Sequence, residues 1–565
     1  MRVAERARAL ARYEPWIVLA PLVAVQWLVL LVFALSVQRN GWLFYQGGDQ
    51  TWFYTSAWEL GHGRIPETLV GYLWPFLMAP LALAAGPNFL DGLPVIVLAQ
   101  LLILAPLALL CAYWVAARVG GRLLGYLGAV GWIAAPWVAQ ELFVERYHER
   151  WNEQALPQAL GFTALGDFPS MVLLMVSAVF VLRALDGGAR GDVLAAGLVA
   201  GFAIALKPAN GLFVFAPLVA FALARRWRAG VEFGLVLAPA LLTLLIWKYR
   251  GTGISVLALE PATLAAEAPA PPPPHPSQQT WWEQAREFVP LDVHQINQQF
   301  LGFREYFWSP RLLEYLPVAG AIAVARASVP KAAFFAAWLL AFFLVKGSAD
   351  VTSVESGSIW RLLMPAWPAY FFLTISIPLL VPVYGARLRV RFPARLRRVR
   401  WPRAALVPVA ASLLVPLALT AALPPSEGLG AAKLPLRSLF LPVDQEVGLG
   451  VQSVEGGLDL SWNAPEPGAA DSFFVIYRSP LEYALQDDPA RMVRQGVLCE
   501  ASSGSAPRCT IEMEEVGRTR GERFLDRAPP PGSWTYRIGT AANWRNDDSL
   551  GDPFVISRPL NVRVG

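Results

Sequence analysis

RLRVRFPARLRRVRWPR, residues 387–403, sets eight arginines between two apolar runs, residues 362–381 before it and 404–422 after it. Each run is close to the ~20 residues that an α-helix needs to cross a bilayer core. Arginine-rich loops stay on the cytoplasmic side of a membrane. The segment is therefore the strongest inside marker in the chain, and both flanking runs read as spans that lead away from it.

The same alternation extends in both directions. Arg2, Arg6, Arg8 and Arg12 precede an apolar run over 16–36. That run exceeds the roughly 7–15 apolar residues of a signal peptide and lacks an obvious small-residue cleavage site, so it reads as a retained first span. Spans follow at 93–117, 123–138, 169–185, 193–206, 211–224, 231–247, 312–324, 332–345, 362–381 and 404–422. Arg118, Arg122, Arg183, Arg190, Arg225, Arg226 and Arg228 fall in loops of one side. The other side receives the loops 37–92, 139–168 and 248–310 and everything after 423. The apolar stretch 72–85 is short, carries Pro75 and Pro80, and reads as an interfacial helix or a half-span rather than a crossing. Residues 271–274 are all proline, an extended spacer. After them Trp281, Trp282, Ala285, Phe288 and Val289 recur at the spacing of a surface-lying helix.

The expected fold is a polytopic α-helical membrane protein of about eleven spans, residues 1–423, with a linker over 424–450 and a C-terminal all-β sandwich over 451–565. Composition agrees: 55% of the 565 residues are hydrophobic and 16% charged, against about 25% charged in soluble domains. The 22 Trp suit interfacial belts. The formal charge of +5 does not indicate nucleic acid, because the arginines cluster beside apolar runs and read as topology signals. The chain is expected in the plasma (inner) membrane of a bacterium, N-terminus cytoplasmic and C-terminal domain extracytoplasmic. Of the three cysteines, Cys111 lies in an apolar run, whereas Cys499 and Cys509 would meet an oxidising compartment and could form a disulfide.

Strand-like runs recur at 458–462, 473–478, 533–538 and 554–564, alternating apolar and polar residues between Pro, Gly and Asp turns. The first three resemble strands of a fibronectin type III domain, although the insertion 481–523 is longer than that module allows.

Four residues fall on the outer side by this topology: Asp49, Asp167, Lys207 and Arg361. Asp49 follows Gly47 and Gly48, which let the chain turn sharply and a ligand approach. A carboxylate there could act as a general base or hold a divalent metal, Mg or Mn. It could also cap a helix. Asp167, in Gly166-Asp167-Phe168-Pro169, has the same alternatives. Lys207 and Arg361 could oppose a helix dipole or snorkel, yet both sit where the positive-inside bias disfavours cations. Together they could hold a phosphate. Tyr54 and His148, in the outer loops, are further candidate substrate contacts, although His148 is also an ordinary solvated loop residue. Gln295, Asn297, Gln298 and Gln299, near Phe300, Tyr306 and Trp308, have the amide-plus-aromatic character of a sugar site, with Gln295 and Gln298 as the chosen contacts. A polar amphipathic loop would look similar.

The order of these elements resembles the GT-C superfamily of lipid-linked glycosyltransferases, of the protein O-mannosyltransferase and aminoarabinose transferase type. The resembling parts are Gly48-Asp49 after the first span, the apolar stretch 72–86, Asp167-Phe168-Pro169, Lys207-Pro208, and Arg361-Leu362-Leu363-Met364-Pro365 opening a late span. Asp49 is followed by Gln50 where many members have a second acid, and Leu362 stands where an aromatic residue follows the arginine. The resemblance implies transfer of a sugar from a polyprenyl-phosphate donor to a glycan, lipid or protein acceptor, with inversion. Asp49 would be the base, Asp167 would hold a metal or the acceptor, and Lys207 and Arg361 would neutralise the leaving phosphate. A transporter or flippase of a lipid-linked saccharide is the alternative, although the sequence has no internal repeat and its charges sit at span ends. A membrane scaffold that merely displays the β domain would need only one span.

Overall fold

The computed structural model describes residues 2–36, 49–66, 70–85, 89–142, 159–252, 291–306, 311–348, 354, 358–381, 403–425, 448–454, 456–463, 473–480, 498–500, 508–510, 514–519, 521–541 and 560–564. The expected helix at 281–289, the proline run and His148 lie outside them. The chain divides into two compact units. One comprises Met1–Ser36, Leu69–Trp74 and Leu98–Leu423, and the other Val37–Thr68, Pro75–Val97 and Pro424–Gly565.

The helices in chain order are α1 (Arg2–Ser36), α2 (Asp49–Gly61), α3 (Leu73–Ala85), α4 (Phe89–Ala99), α5 (Ala105–Gly120), α6 (Arg122–Leu142), α7 (Asp167–Leu185) and α8 (Arg190–Leu206). Then come α9 (Phe215–Leu223), α10 (Trp227–Thr252), α11 (Val293–Tyr306), α12 (Leu312–Ala325), α13 (Val329–Gly347), α14 (Ser358–Leu363), α15 (Trp367–Ile375) and α16 (Arg403–Ala422). Among the described residues six segments are long and apolar enough to cross a membrane: Pro15–Val32, Gly92–Gly120, Asp167–Leu185, Trp227–Gly251, Val329–Gly347 and Arg361–Leu380. Leu73–Ala85, Pro208–Leu223, Leu312–Ala325 and Val409–Ala422 are apolar but shorter. These helices support a membrane-embedded protein.

α10 shows why an apolar helix suits that setting. Phe233, Leu237, Ala240, Leu244 and Trp247 are buried on one face, while Trp227, Val231, Leu235, Leu242, Leu245 and Tyr249 are exposed on the other. From Trp227 to Tyr249, 23 residues, the helix rises about 33 Å at 1.5 Å per step, close to the ~30 Å hydrocarbon thickness. An aromatic ring stands at each end, as at a bilayer's two interfaces. Close helix packing is served by small residues. A Cβ on Gly320 of α12 would lie 1.9 Å from the Leu373 carbonyl oxygen of α15, so only glycine permits that approach.

Polar contacts in the first unit gather at the two ends of its helices. At one end Asp186 accepts from Arg118 (3.3 Å) and Lys331 (2.6 Å), Arg183 pairs with Asp192 (2.8 Å), and Arg226 donates to the Ala184 carbonyl. Arg326 there donates to the Leu380 carbonyl at 2.8 Å. The 19 residues of α7 carry the chain about 28 Å away at 1.5 Å each, to the end that holds Asp167. Arg118, Arg183 and Arg226, which the charge pattern assigns to one side, thus share one end of the helices.

The proline-rich run 362–381 is broken rather than continuous. Its helices α14 and α15 are separated by a 3-10 turn at Met364–Ala366, and a second 3-10 turn follows at Ile377–Leu380. Proline lacks the N–H that an α-helix interior requires, and Pro365, Pro368 and Pro378 each stand at the start of one of these segments.

The C-terminal part is β: β1 (Gly448–Val454), β2 (Gly457–Asn463), β3 (Phe473–Pro480), β4 (Leu498–Glu500), β5 (Arg508–Thr510), β6 (Glu514–Thr519), β7 (Arg523–Asp526), β8 (Gly532–Ala541) and β9 (Leu560–Val564). The sheet orders are β1-β2-β7, β6-β3-β8-β9 and β4-β5. Leu458, Leu460 and Trp462 of the first sheet share one buried core with Phe474, Ile476, Tyr536 and Ile538 of the second. Within β2, β3 and β8 these core residues are spaced two apart, as the alternating pattern requires. The stretch 481–523, an insertion by comparison with the fibronectin pattern, contributes β4, β5 and β6. In the β4–β5 register Cys499 stands directly opposite Cys509.

Candidate functional site

Three helix ends bring Asp167, Lys207 and Arg361 together. Asp167 is the first residue of α7, where a carboxylate complements the helix dipole. Pro169 in the same first turn removes an N–H that would have no partner. Lys207 ends α8 because Pro208 follows: the residue before proline is pushed to extended backbone, and Lys207 has φ −136° and ψ 106°. Its N–H donates to the Ala203 carbonyl at 2.9 Å, and the Asn210 amide donates to the same carbonyl at 2.9 Å. Arg361 lies in α14, and the turn after it is held by Trp338 of α13, whose indole N–H donates to the Pro365 carbonyl at 2.9 Å.

The Asp167 carboxylate is 2% exposed. One oxygen accepts from Lys207 Nζ, and the other stands 3.5 Å from Arg361 Nε. Asp167 is therefore engaged by two cations rather than acting as a simple helix cap. Lys346, in the last turn of α13, lies close enough to Lys207 for the two ammonium charges to repel. Lys207 and Arg361 thus place two cationic groups around one buried carboxylate. Such a cluster suits an anion. A divalent cation fits poorly beside Asp167, because both carboxylate oxygens face cationic groups. Among the described residues no three His, Cys, Asp or Glu side chains come together as a metal-holding group.

A buried loop carries Asp167. Residues 161–166 are buried, and long-range donors secure their carbonyls: Trp74 Nε1 to Ala164 O at 2.7 Å and Gln100 Nε2 to Thr163 O at 2.5 Å. Ser170 Oγ donates to the Asp167 carbonyl at 2.9 Å. Gly71 supports the opposite partner. A Cβ there would lie 2.2 Å from Ala205 O and 2.5 Å from Leu206 O, the carbonyls just before Lys207.

Asp49 is the first residue of α2, in the second unit, and its side chain lies outside the described residues. Tyr54 of the same helix is buried, its ring packed so closely that a Cβ on Gly92 would meet Cε2 at 2.6 Å. In α11 the buried stripe is Gln299, Phe303 and Tyr306, whereas Gln295 is half-buried and Gln298 exposed. Gln299 packs near Gly347, the neighbour of Lys346. Arg304 fastens α11 to α12 by a two-point pair with Glu314, at 2.7 and 2.9 Å. The inward amide is thus Gln299 rather than Gln298. Lys346 was legible by the reasoning that singled out Lys207 and Arg361, since it too is a cation at the end of an apolar run that the charge pattern assigns to the outer side. Gly71, Trp74 and Gln100 act through contacts across long sequence separations, which no local pattern reveals.

The chain matches no protein-family model, and no curated protein matches it.

Proposed function

We propose that the protein is an integral membrane glycosyltransferase of GT-C type that uses a polyprenyl-phosphate sugar and an extracytoplasmic glycan, lipid or protein acceptor. The observation that carries this reading is the convergence of Lys207 and Arg361 on Asp167, with Lys346 beside them, at one end of an apolar helix bundle. Cations held at a membrane-helix end suit a phosphate whose chain lies in the bilayer. In the proposed reaction Asp49 takes the acceptor hydroxyl proton and the freed oxygen attacks the anomeric carbon. The bond from that carbon to the phosphate oxygen breaks, and the electron pair leaves on polyprenyl phosphate. Lys207 and Arg361 stabilise that developing charge, and Asp167 is a positioning residue that holds them in place.

The same reading takes about eleven spans and a cytoplasmic N-terminus. It treats the C-terminal β region as an extracytoplasmic sandwich of fibronectin type III kind. Opposed residues of an antiparallel pair have Cα atoms about 4.5–5.5 Å apart, within the roughly 4.4–6.8 Å that a disulfide spans. Cys499 and Cys509 are therefore expected to be bonded. Thiol labelling of the unfolded, unreduced protein should find one reactive thiol per chain, Cys111, out of the three cysteines. Three labelled thiols would place the β region in a reducing compartment or separate the pair.

The functional test is turnover of a panel of radiolabelled polyprenyl-phosphate sugars by purified wild type and Asp49→Asn. The variant is expected to lose about a hundredfold in turnover, the scale of general-base assistance, while donor binding persists. Full turnover by Asp49→Asn would remove Asp49 from the chemistry. Passage of the labelled lipid across vesicles without sugar transfer would favour the flippase.

A further inference from the structure

We propose that Arg190 and Arg228 form a headgroup seat for an anionic phospholipid. It lies at the end of the helices opposite Asp167, so it is separate from the sugar-transfer site and rests only on the membrane-embedded reading. Arg190 opens α8 and Arg228 stands in the first turn of α10. Both Nε atoms meet one oxygen, Glu232 Oε1, at 3.0 and 3.2 Å. Glu232 is 13% exposed, whereas the arginine side chains are 68% and 86% exposed. The acid therefore fixes two guanidinium groups side by side through their Nε edges and leaves most of each group accessible. Two cations on one carboxylate carry a surplus positive charge, and each guanidinium has further N–H donors for a phosphate.

The adjoining surface identifies the ligand. Trp227, Val231 and Leu235 recur every fourth residue beside Arg228 and Glu232, and all three are more than 60% exposed. This stripe continues along α10 through Leu242 and Leu245 to Tyr249. A paired basic group at the head of a long apolar face complements a phosphodiester carrying acyl chains. It does not fit nucleic acid or a free anion, neither of which would use the apolar stripe. Basic groups near a membrane surface each favour anionic lipid by an amount that makes two of them worth about tenfold or more in binding.

The test is native mass spectrometry of the purified full chain after exchange into phosphatidylglycerol or phosphatidylcholine of equal chain length. Wild type should retain phosphatidylglycerol preferentially. Arg190→Gln/Arg228→Gln should lower that retention about tenfold and leave retention of phosphatidylcholine unchanged. Arg397→Gln/Arg398→Gln removes equal charge from the arginine-rich segment and should have a smaller effect. Equal retention of both lipids by wild type, or an equal loss in the two double variants, would overturn the seat. A protein that remains dispersed and lipid-free after detergent removal would overturn the membrane reading itself.

Discussion

Asp167→Asn is expected to cost about 3–5 kcal/mol of folded stability, the range for removing one partner from a buried ion pair. The substitution keeps the size of the side chain and deletes only its charge, so no cavity contributes. Lys207 and Arg361 would then lose the carboxylate on which both now converge. Folded domains have only about 5–15 kcal/mol to lose, so the loss should be visible as a large fall in the thermal midpoint of the full chain in detergent. Adding Lys207→Met to Asp167→Asn removes one of the two cations that converge on position 167 and should return part of that loss, because contacting sites are not additive. A phosphate-bearing polyprenyl lipid should raise the midpoint of Asp167→Asn by more than that of wild type. In the variant the anion replaces a missing carboxylate, whereas in wild type it must share the cations with Asp167, and preferential binding to the folded form appears as stabilisation. A variant within about 0.5 kcal/mol of wild type, the range of ordinary surface substitutions, would show that the pair is solvated and holds nothing in place.

The reach of the sequence can be argued from the same residues. Lys207 was conspicuous because a cation before proline, at a span end that the charge pattern assigns to the outer side, breaks two local regularities, and the structure gives both a physical basis: the proline stops α8, and the side chain has a buried partner. That Asp167 is the partner could not be read, because the two residues are 40 apart and belong to different helices. Helix phase set another limit. Gln295, Gln298 and Gln299 all lie in α11, and the inward amide is fixed by packing of Gln299, Phe303 and Tyr306 on other helices, which the local polar pattern does not contain. In the β region, alternation revealed Leu458, Leu460 and Trp462 as one face. The short strands within 481–523 escaped because three-residue strands such as β4 and β5 have too few alternations to show a period.

In the β region the largest effect is expected from Asp526→Ala. Asp526, at the end of β7, accepts from Arg478 of β3 at 3.0 Å and from the Tyr536 hydroxyl of β8 at 2.6 Å, all three buried. This one carboxylate links β7, in one sheet, to two adjacent strands of another. Alanine removes the carboxylate partner of a buried guanidinium that lies 5.1 Å from the Trp534 ring, and should cost about 3–5 kcal/mol. Hydrogen exchange in the full chain should therefore report a fall of about two to four orders of magnitude in amide protection across β3 and β8, with helices of the first unit unchanged. Burial and then the bond to Asp526 hold the Tyr536 hydroxyl well above its ordinary titration range. The folded state thus keeps that proton where the unfolded chain, with a tyrosine value of about 10, releases it. The resulting stability is fully present below about pH 10 and declines as pH rises from there towards the folded value. Tyr536→Phe should remove that alkaline decline while costing about 1.5–3 kcal/mol at neutral pH, the worth of a hydrogen bond to a charged group. If Tyr536→Phe kept the wild-type alkaline profile, another group would be responsible for it. Protection unchanged in Asp526→Ala would mean that Arg478 finds water as readily as it finds Asp526, and that the apolar core alone holds the two sheets together.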